Sequence, residues 1–313
     1  MKRRWPALDG ARGIAIVAMI LFHFTWDLGF FGIIDYDISF TSKGRMLSHG
    51  IAGSFLFIVG MSLVLANRAT FDAKAFLRRF RFVAGAAFLV SLGTFFAMPD
   101  DWIFFGVLHC IALSSLLAIP LLSAPLGVVA VVAACVLFAP FLVSHPIFDQ
   151  PWLFWLGLNH VLPRTNDYVP LFPWFGVVLC GVFAARLALR NEDMSARLGA
   201  PLTGWFFRRL ARLGRFSLPV YLLHQPVMMG LIWGLLSLTG PIHLYTSKDG
   251  GFAKACTASC IASGRTDAQC TASCACVGEE LARGNPPVAT LSSEAMSIRV
   301  DEAVAVCRVK GLF

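Results

Sequence analysis

Leu8-Asp-Gly-Ala-Arg12-Gly-Ile-Ala-Ile-Val-Ala-Met-Ile-Leu-Phe-His23-Phe-Thr-Trp-Asp27-Leu-Gly-Phe-Phe31 decides how this chain is read. A helix crossing ~30 Å of hydrocarbon needs roughly 20 mostly apolar residues, and this stretch supplies them. It lacks the alternating polarity of a barrel strand. It also carries four ionisable groups, Asp9, Arg12, His23 and Asp27. Such groups are costly inside a span and mark function by default.

Six further stretches have the same character: Leu47–Ala66, Phe82–Met98, Trp102–Leu122, Leu126–Val143, Leu171–Leu189 and Phe216–Leu238. Hydrophobic residues make up 57% of the 313 and charged ones 14%. A soluble domain is about a quarter charged. There is too little charge to wet the surface of an ordinary soluble enzyme, and too much apolar residue for disorder. The sequence therefore predicts an all-α polytopic membrane protein of about seven spans. The Met1-Lys-Arg-Arg start resembles a signal n-region, but no small-residue cleavage site follows, so the first span is expected to be retained.

Net charge is +8, which in a soluble protein would point to nucleic acid. Here its placement matters more. The N-terminus, Asn67–Arg81 and Arg186–Arg215 hold 16 Lys and Arg against 4 acids. The opposite loops, with Asp27, hold 3 against 7, and the tail from Gly240 holds 7 of each. Threading seven spans puts all three basic clusters on one side. The expectation is a cytoplasmic N-terminus, a C-terminus outside, and no nucleic-acid partner. The Ser144–Pro170 loop then lies outside, with an apolar patch at Pro151–Leu158 too short to span, an interfacial or re-entrant piece.

Composition changes at about residue 240, dividing the chain into a membrane domain (1–240) and a cysteine-rich helical tail (241–313). The tail holds Cys256, Cys260, Cys270, Cys274, Cys276 and Cys307. An even count outside the cytoplasm reads as disulfides. Within each C-x3-C pair the cysteines share a helix face. Two antiparallel helices would join Cys256 to Cys274 and Cys260 to Cys270, leaving Cys276 for Cys307. This is one of the 15 pairings that six cysteines allow. A metal site is the rival reading. Cys110, Cys135 and Cys180 lie in spans as apolar packing residues.

The first span has a register. Eleven residues separate Arg12 from His23, about three full turns, so they share a face ~16 Å apart along the axis. Asp27 is i+4 from His23, and Asp9 is i−3 from Arg12. A carboxylate beside an imidazole is how a general base is oriented. Asp9–Arg12 as a depth-setting ion pair and His23–Asp27 as an interhelical clamp are the plainer alternatives. Counting inward from the span ends puts His109 in a layer with His23, and His224 in a layer with Arg12; taken alone, each reads more plainly as a hydrogen-bonded core histidine. Asn166, Asp167, Tyr168 and Trp174, at the start of the sixth span, line an outward cleft or form an aromatic belt. His49, His145, His160 and His243 are scattered without ligand spacing, so no metal site is expected. Walker, dinucleotide-binding, nucleophile-elbow and HExxH signatures are absent.

Arg4-Trp-Pro-Ala-Leu-Asp9-Gly-Ala-Arg12 with the R-x10-H spacing to His23 resembles the first-helix motif of the acyltransferase-3 family. His23-Phe-Thr-Trp-Asp27-Leu, Phe57-Ile-Val-Gly60-Met-Ser62, Gly106-Val-Leu-His109, Asp167-Tyr-Val-Pro-Leu-Phe-Pro-Trp174 and Gly214-Arg-Phe-Ser-Leu-Pro-Val-Tyr-Leu-Leu-His224-Gln-Pro resemble the heparan-alpha-glucosaminide N-acetyltransferase-like family. The likeness covers about residues 4–238 and omits the tail. The animal enzyme of that family has Asn near the position of His23, so its catalytic assignment does not carry over directly.

The resemblance implies an integral-membrane acyltransferase with cytoplasmic acetyl-CoA, or another acyl-CoA, as donor and an amine or hydroxyl, of a sugar above all, as outer-side acceptor. The expected setting is a bacterial inner membrane, with the tail in the periplasm. His23, Asp27 and His109 are then the catalytic candidates. Arg12, Asp9, His224 and Arg79 are candidates for holding the donor, with Arg78, Arg81 or the Arg208–Arg215 cluster as an outer funnel. Asn166, Asp167, Tyr168 and Trp174 are candidates for the acceptor. A transporter or flippase for a lipid-linked or acyl substrate is an alternative. So is a membrane scaffold presenting the tail.

Overall fold

The computed structural model describes residues 5–34, 38–68, 71–143, 145–239, 256–257, 260–261, 265–283 and 293–310. Lys2, Arg3, Arg4 and His243 lie outside them. Among the described residues every regular element is helical. The α-helices are α1 (Pro6–Phe30), α2 (Ser42–Ala66), α3 (Ala73–Ala97), α4 (Val107–Leu117), α5 (Leu126–Leu142), α6 (Leu171–Arg190), α7 (Glu192–Gly199), α8 (Trp205–Arg215), α9 (Ser217–Thr239), α10 (Asp267–Arg283) and α11 (Ser293–Val309).

Five of these, α1, α2, α3, α6 and α9, are long and apolar enough to cross a membrane, while α4 and α5 are shorter apolar helices. The seven expected stretches each overlap one of the seven, with shifted ends. Thr41 caps α2 early, its side chain accepting from the Gly44 N–H at 2.9 Å. Asp72 does the same for α3 through the Ala75 N–H at 3.0 Å. The basic segment Asn67–Arg81 is thus largely a helical extension, with Arg78, Arg79 and Arg81 on α3. Trp102–Leu122 moves the other way. Only Val107–Leu117 is α-helical, followed by a 3-10 turn that starts at Pro120, where the ring removes the N–H that a continuing helix needs. The Pro151–Leu158 patch forms a 3-10 helix at Pro151–Leu156.

The chain divides into two compact units. The first comprises the described residues of Met1–Thr25 and Ile38–Leu231, and α6 is the centre of its core. Phe175, Val178, Leu179, Val182 and Ala185 of α6 pack with Leu56 of α2 and Val129 and Val136 of α5. Close approach depends on glycine. A Cβ at Gly60 of α2 would strike the Val178 carbonyl, and one at Gly181 of α6 would strike the Phe57 carbonyl. α1 and α8 meet in the same way. A Cβ at Gly13 would strike the Leu210 backbone, and one at Gly214 the Asp9 carbonyl. α3 presents Phe82, Phe88 and Phe96 outward, and α9 presents Leu223 and Leu231. In water these would be an aggregation hazard, whereas lipid is their natural solvent.

The second unit comprises the described residues of Trp26–Asp37 and Ile232–Phe313. Its cysteines pair as the helix-face argument predicts: Cys256–Cys274, Cys260–Cys270 and Cys276–Cys307. The metal reading loses its thiolates with them. Cys276–Cys307 joins α10 to α11 over a small core of Val277, Leu281 and Ala303. Glu280 accepts from Lys310 and Arg283, both at 2.8 Å. The Lys310 bond above all holds its carboxyl below the usual range.

Candidate functional site

α1 carries both ends of the site. Near its start, the buried Asp9 carboxylate accepts from Arg12 at 3.4 Å and Arg215 at 3.3 Å. Arg12 also donates to the Ser62 hydroxyl of α2 at 2.8 Å. The guanidinium is therefore aimed rather than free to snorkel. It lines a cavity of about 170 Å³ together with Ser62, Asn67, Asp72 and Arg79. Phe76, Phe80, Val83 and Ile111 give that cavity an apolar wall. Two of the residues expected to hold the donor, Arg12 and Arg79, thus share one cavity. A second cavity, of about 230 Å³, is lined by Asn67, Arg68 and Arg186 among others. Arg186 is committed to the backbone, donating to the Leu121 and Ala124 carbonyls.

Further along α1, the His23 ring lies 5.0 Å from the His224 ring of α9, edge to face. This corrects the expected layering. His224 shares a level with His23, not with Arg12. His23 is hydrogen-bonded to the Gln225 side chain. His224 Nδ1 is 2.7 Å from the Tyr221 carbonyl. A carbonyl only accepts, so Nδ1 carries the proton and Nε2 has the lone pair. That Nε2 is buried and has no hydrogen-bond partner among the described residues. Asp27, one turn beyond His23, belongs to the second unit and is fully buried.

His109 is used differently. Its Nδ1 accepts from the Gly106 N–H at 3.2 Å. Its Nε2 therefore carries the proton and faces Ser91 Oγ at 3.1 Å. Ser91 in turn donates to the Ile103 carbonyl at 2.6 Å. Both ring nitrogens are occupied in fastening the turn that starts α4.

Of the four acceptor candidates, Asp167 is the best connected. Its Oδ2 accepts from the Val107 N–H at 2.9 Å, at the positive end of α4. The Tyr221 hydroxyl lies 3.5 Å from the same oxygen. Burial pushes the Asp167 carboxyl above its usual range, and these two donors pull against that. Tyr168 has one proton and two acceptors, the Phe154 carbonyl at 2.7 Å and Asn159 at 2.6 Å. Burial raises its hydroxyl to about 12. Asn166 is exposed, its N–H bonded to the Asp101 carbonyl at 3.0 Å. Trp174 stacks edge-on to His49 at 5.5 Å.

Ser62, Tyr221 and Gln225 join the site although the sequence marked them only as parts of the family-like stretches, and Arg215 joins it from the funnel cluster. Tyr221 stands one turn before His224, and Gln225 directly after it, so a one-turn search around each span histidine would have found both.

Described residues that are helical throughout their regular elements, with lipid-type outer faces, an arginine-lined cavity and a pair of imidazoles from α1 and α9, define an integral-membrane protein with a polar site buried among its helices. The profile described as heparan-alpha-glucosaminide N-acetyltransferase, catalytic, matches residues 4–226, and the chain belongs to this family of membrane acetyltransferases. The matched region includes Asp9, Arg12, His23, Arg79, Asp167, Tyr221 and His224, and leaves out the disulfide tail. No curated protein and no solved structure matches the chain.

Proposed function

We propose that this protein transfers an acetyl group from cytoplasmic acetyl-CoA to an amine or hydroxyl of a saccharide on the outer side of a bacterial inner membrane. Residues 1–240 form the catalytic domain, with the N-terminus cytoplasmic and the tail in the periplasm. The observation that carries this reading is His23, on the same helix as Arg12 of the cavity and ~16 Å further along, paired there with His224 of α9.

The donor fits the cavity chemically. Arg12 and Arg79 suit phosphate, and the Phe76, Phe80 and Val83 wall suits the pantetheine arm. Acetyl-CoA supplies an activated thioester carbonyl and a thiolate leaving group. Ser62 and Asp9 hold the Arg12 guanidinium toward the phosphates. Arg78 and Arg81 extend the positive field outside. His23, hydrogen-bonded to Gln225, takes the proton released by the attacking nitrogen or oxygen. His224, its tautomer fixed by Tyr221, offers Nε2 as the neighbouring proton acceptor. Transfer is direct, with no acetyl-imidazole. His109 positions the start of α4. Asn166, Asp167, Tyr168 and Trp174 shape the acceptor side.

The test is transfer of labelled acetyl from acetyl-CoA to an amino-sugar panel by purified protein in lipid nanodiscs. His23→Ala should lower kcat by about 10²- to 10⁴-fold. Arg12→Gln and Arg79→Gln should raise KM for acetyl-CoA. Undiminished turnover in His23→Ala removes it as the base. Substrate movement without acetyl-CoA consumption replaces the reading with transport.

A further inference from the structure

α8, Trp205-Phe-Phe-Arg-Arg-Leu-Ala-Arg-Leu-Gly-Arg215, lies between the spans α6 and α9, and its last residue is two positions before α9 begins. One face is accounted for: Leu210, Ala211 and Gly214 are buried, and Leu210 and Gly214 meet α1 at Gly13 and Asp9. At ~100° per residue the opposite face is organised by chemistry. Taking Trp205 as the origin, Arg208, Arg212 and Arg215 fall within about 280–340°, and Phe206 and Leu213 within about 80–100°. Between these flanks project Trp205 and Arg209, the guanidinium 5.2 Å above the indole ring. Trp205 is 66% exposed and Phe206 59% exposed. Among the described residues Arg208, Arg209 and Arg212 have no carboxylate partner.

We propose that α8 is an interfacial helix that binds the anionic phospholipid headgroups of the membrane leaflet on its own side. Three observations converge on this occupant. The chain holds α8 at the mouth of a span, which is the depth of the headgroups. One exposed flank is aromatic and aliphatic and the other is cationic, the pattern of a helix lying in the interface plane. The free charges are arginines, whose planar donors grip phosphate in pairs. Arg215 pairs with Asp9, which also holds Arg12, so lipid bound along α8 braces the entrance of the Arg12 cavity.

The test is native mass spectrometry of the full chain in detergent, titrated with phosphatidylglycerol or phosphatidylcholine. Wild type should retain phosphatidylglycerol in preference. R208Q/R209Q/R212Q should lose that preference on the order of tenfold, and the matching triple Lys variant should restore most of it. Equal retention of both lipids by wild type overturns the proposal, and so does unchanged preference in the Gln variant. If instead the Gln variant only raises KM for acetyl-CoA in phosphatidylcholine nanodiscs, the arginines serve the nucleotide, and the proposal falls. The lipid readout involves no acetyl transfer, so it stands or falls apart from the proposed reaction.

Discussion

At His224, the Tyr221 carbonyl 2.7 Å from Nδ1 decides which nitrogen is basic. Tyr221 supplies that carbonyl from its backbone, so its side chain is separable from this role. Tyr221→Phe keeps the tautomer and removes only the hydroxyl facing Asp167. It should lower kcat several-fold and leave KM for acetyl-CoA unchanged. A loss as large as that of His224→Ala would mean that the hydroxyl itself takes part in the chemistry. The Arg12–His23 register was legible in the sequence because an eleven-residue interval falls on one helix face whatever surrounds it. The level of His224 was not legible. Counting from the end of a span assumes that straight helices enter at equal depth. Here the separate helix α8 occupies the segment just before α9, so the position at which α9 starts does not give its depth. His109 stands out in the sequence by its depth and by the family-like stretch Gly106-Val-Leu-His109. Its engagement with Gly106 and Ser91 depends on a turn whose geometry no spacing rule describes.

At the level of elements, the α2–α6 contact is the one to break. Gly60→Val puts three carbons where the Val178 carbonyl already sits. Overpacking of this kind costs typically 1–3 kcal/mol. Thermal unfolding in detergent should fall by several degrees, while Gly85→Val, at an open position on α3, should change little. In the tail, Cys276–Cys307 closes a separation of 31 residues. The chain-entropy estimate for such a loop is about 4 kcal/mol. Replacing both cysteines by serine should make α10 and α11 much more sensitive to proteolysis, measured by the rate of cleavage at Arg283 and Arg308. The pairing was legible because C-x3-C fixes a helix face and leaves few ways to join two of them. The short α4 was not, since apolar content continues unbroken past Pro120.

For the whole molecule, hydropathy and charge gave the class directly. A lipid-exposed backbone must satisfy its own hydrogen bonds, so long apolar runs have only helices open to them. Sidedness is tested separately. Trypsin added to the outside of intact spheroplasts should trim the tail and spare the basic segments of α3 and α8. Protection of the tail would invert the proposed orientation. What hydropathy left unread is how the outer loop is tied to the interior. The Asp167 carboxylate receives both the first N–H of α4 and the Tyr221 hydroxyl of α9. One loop residue thus fastens two helices, one of which bears His224. The loop is consequently not an interchangeable part. A graft meant to give this scaffold a new acceptor must carry an acid at position 167, or it will retune the imidazoles along with the substrate.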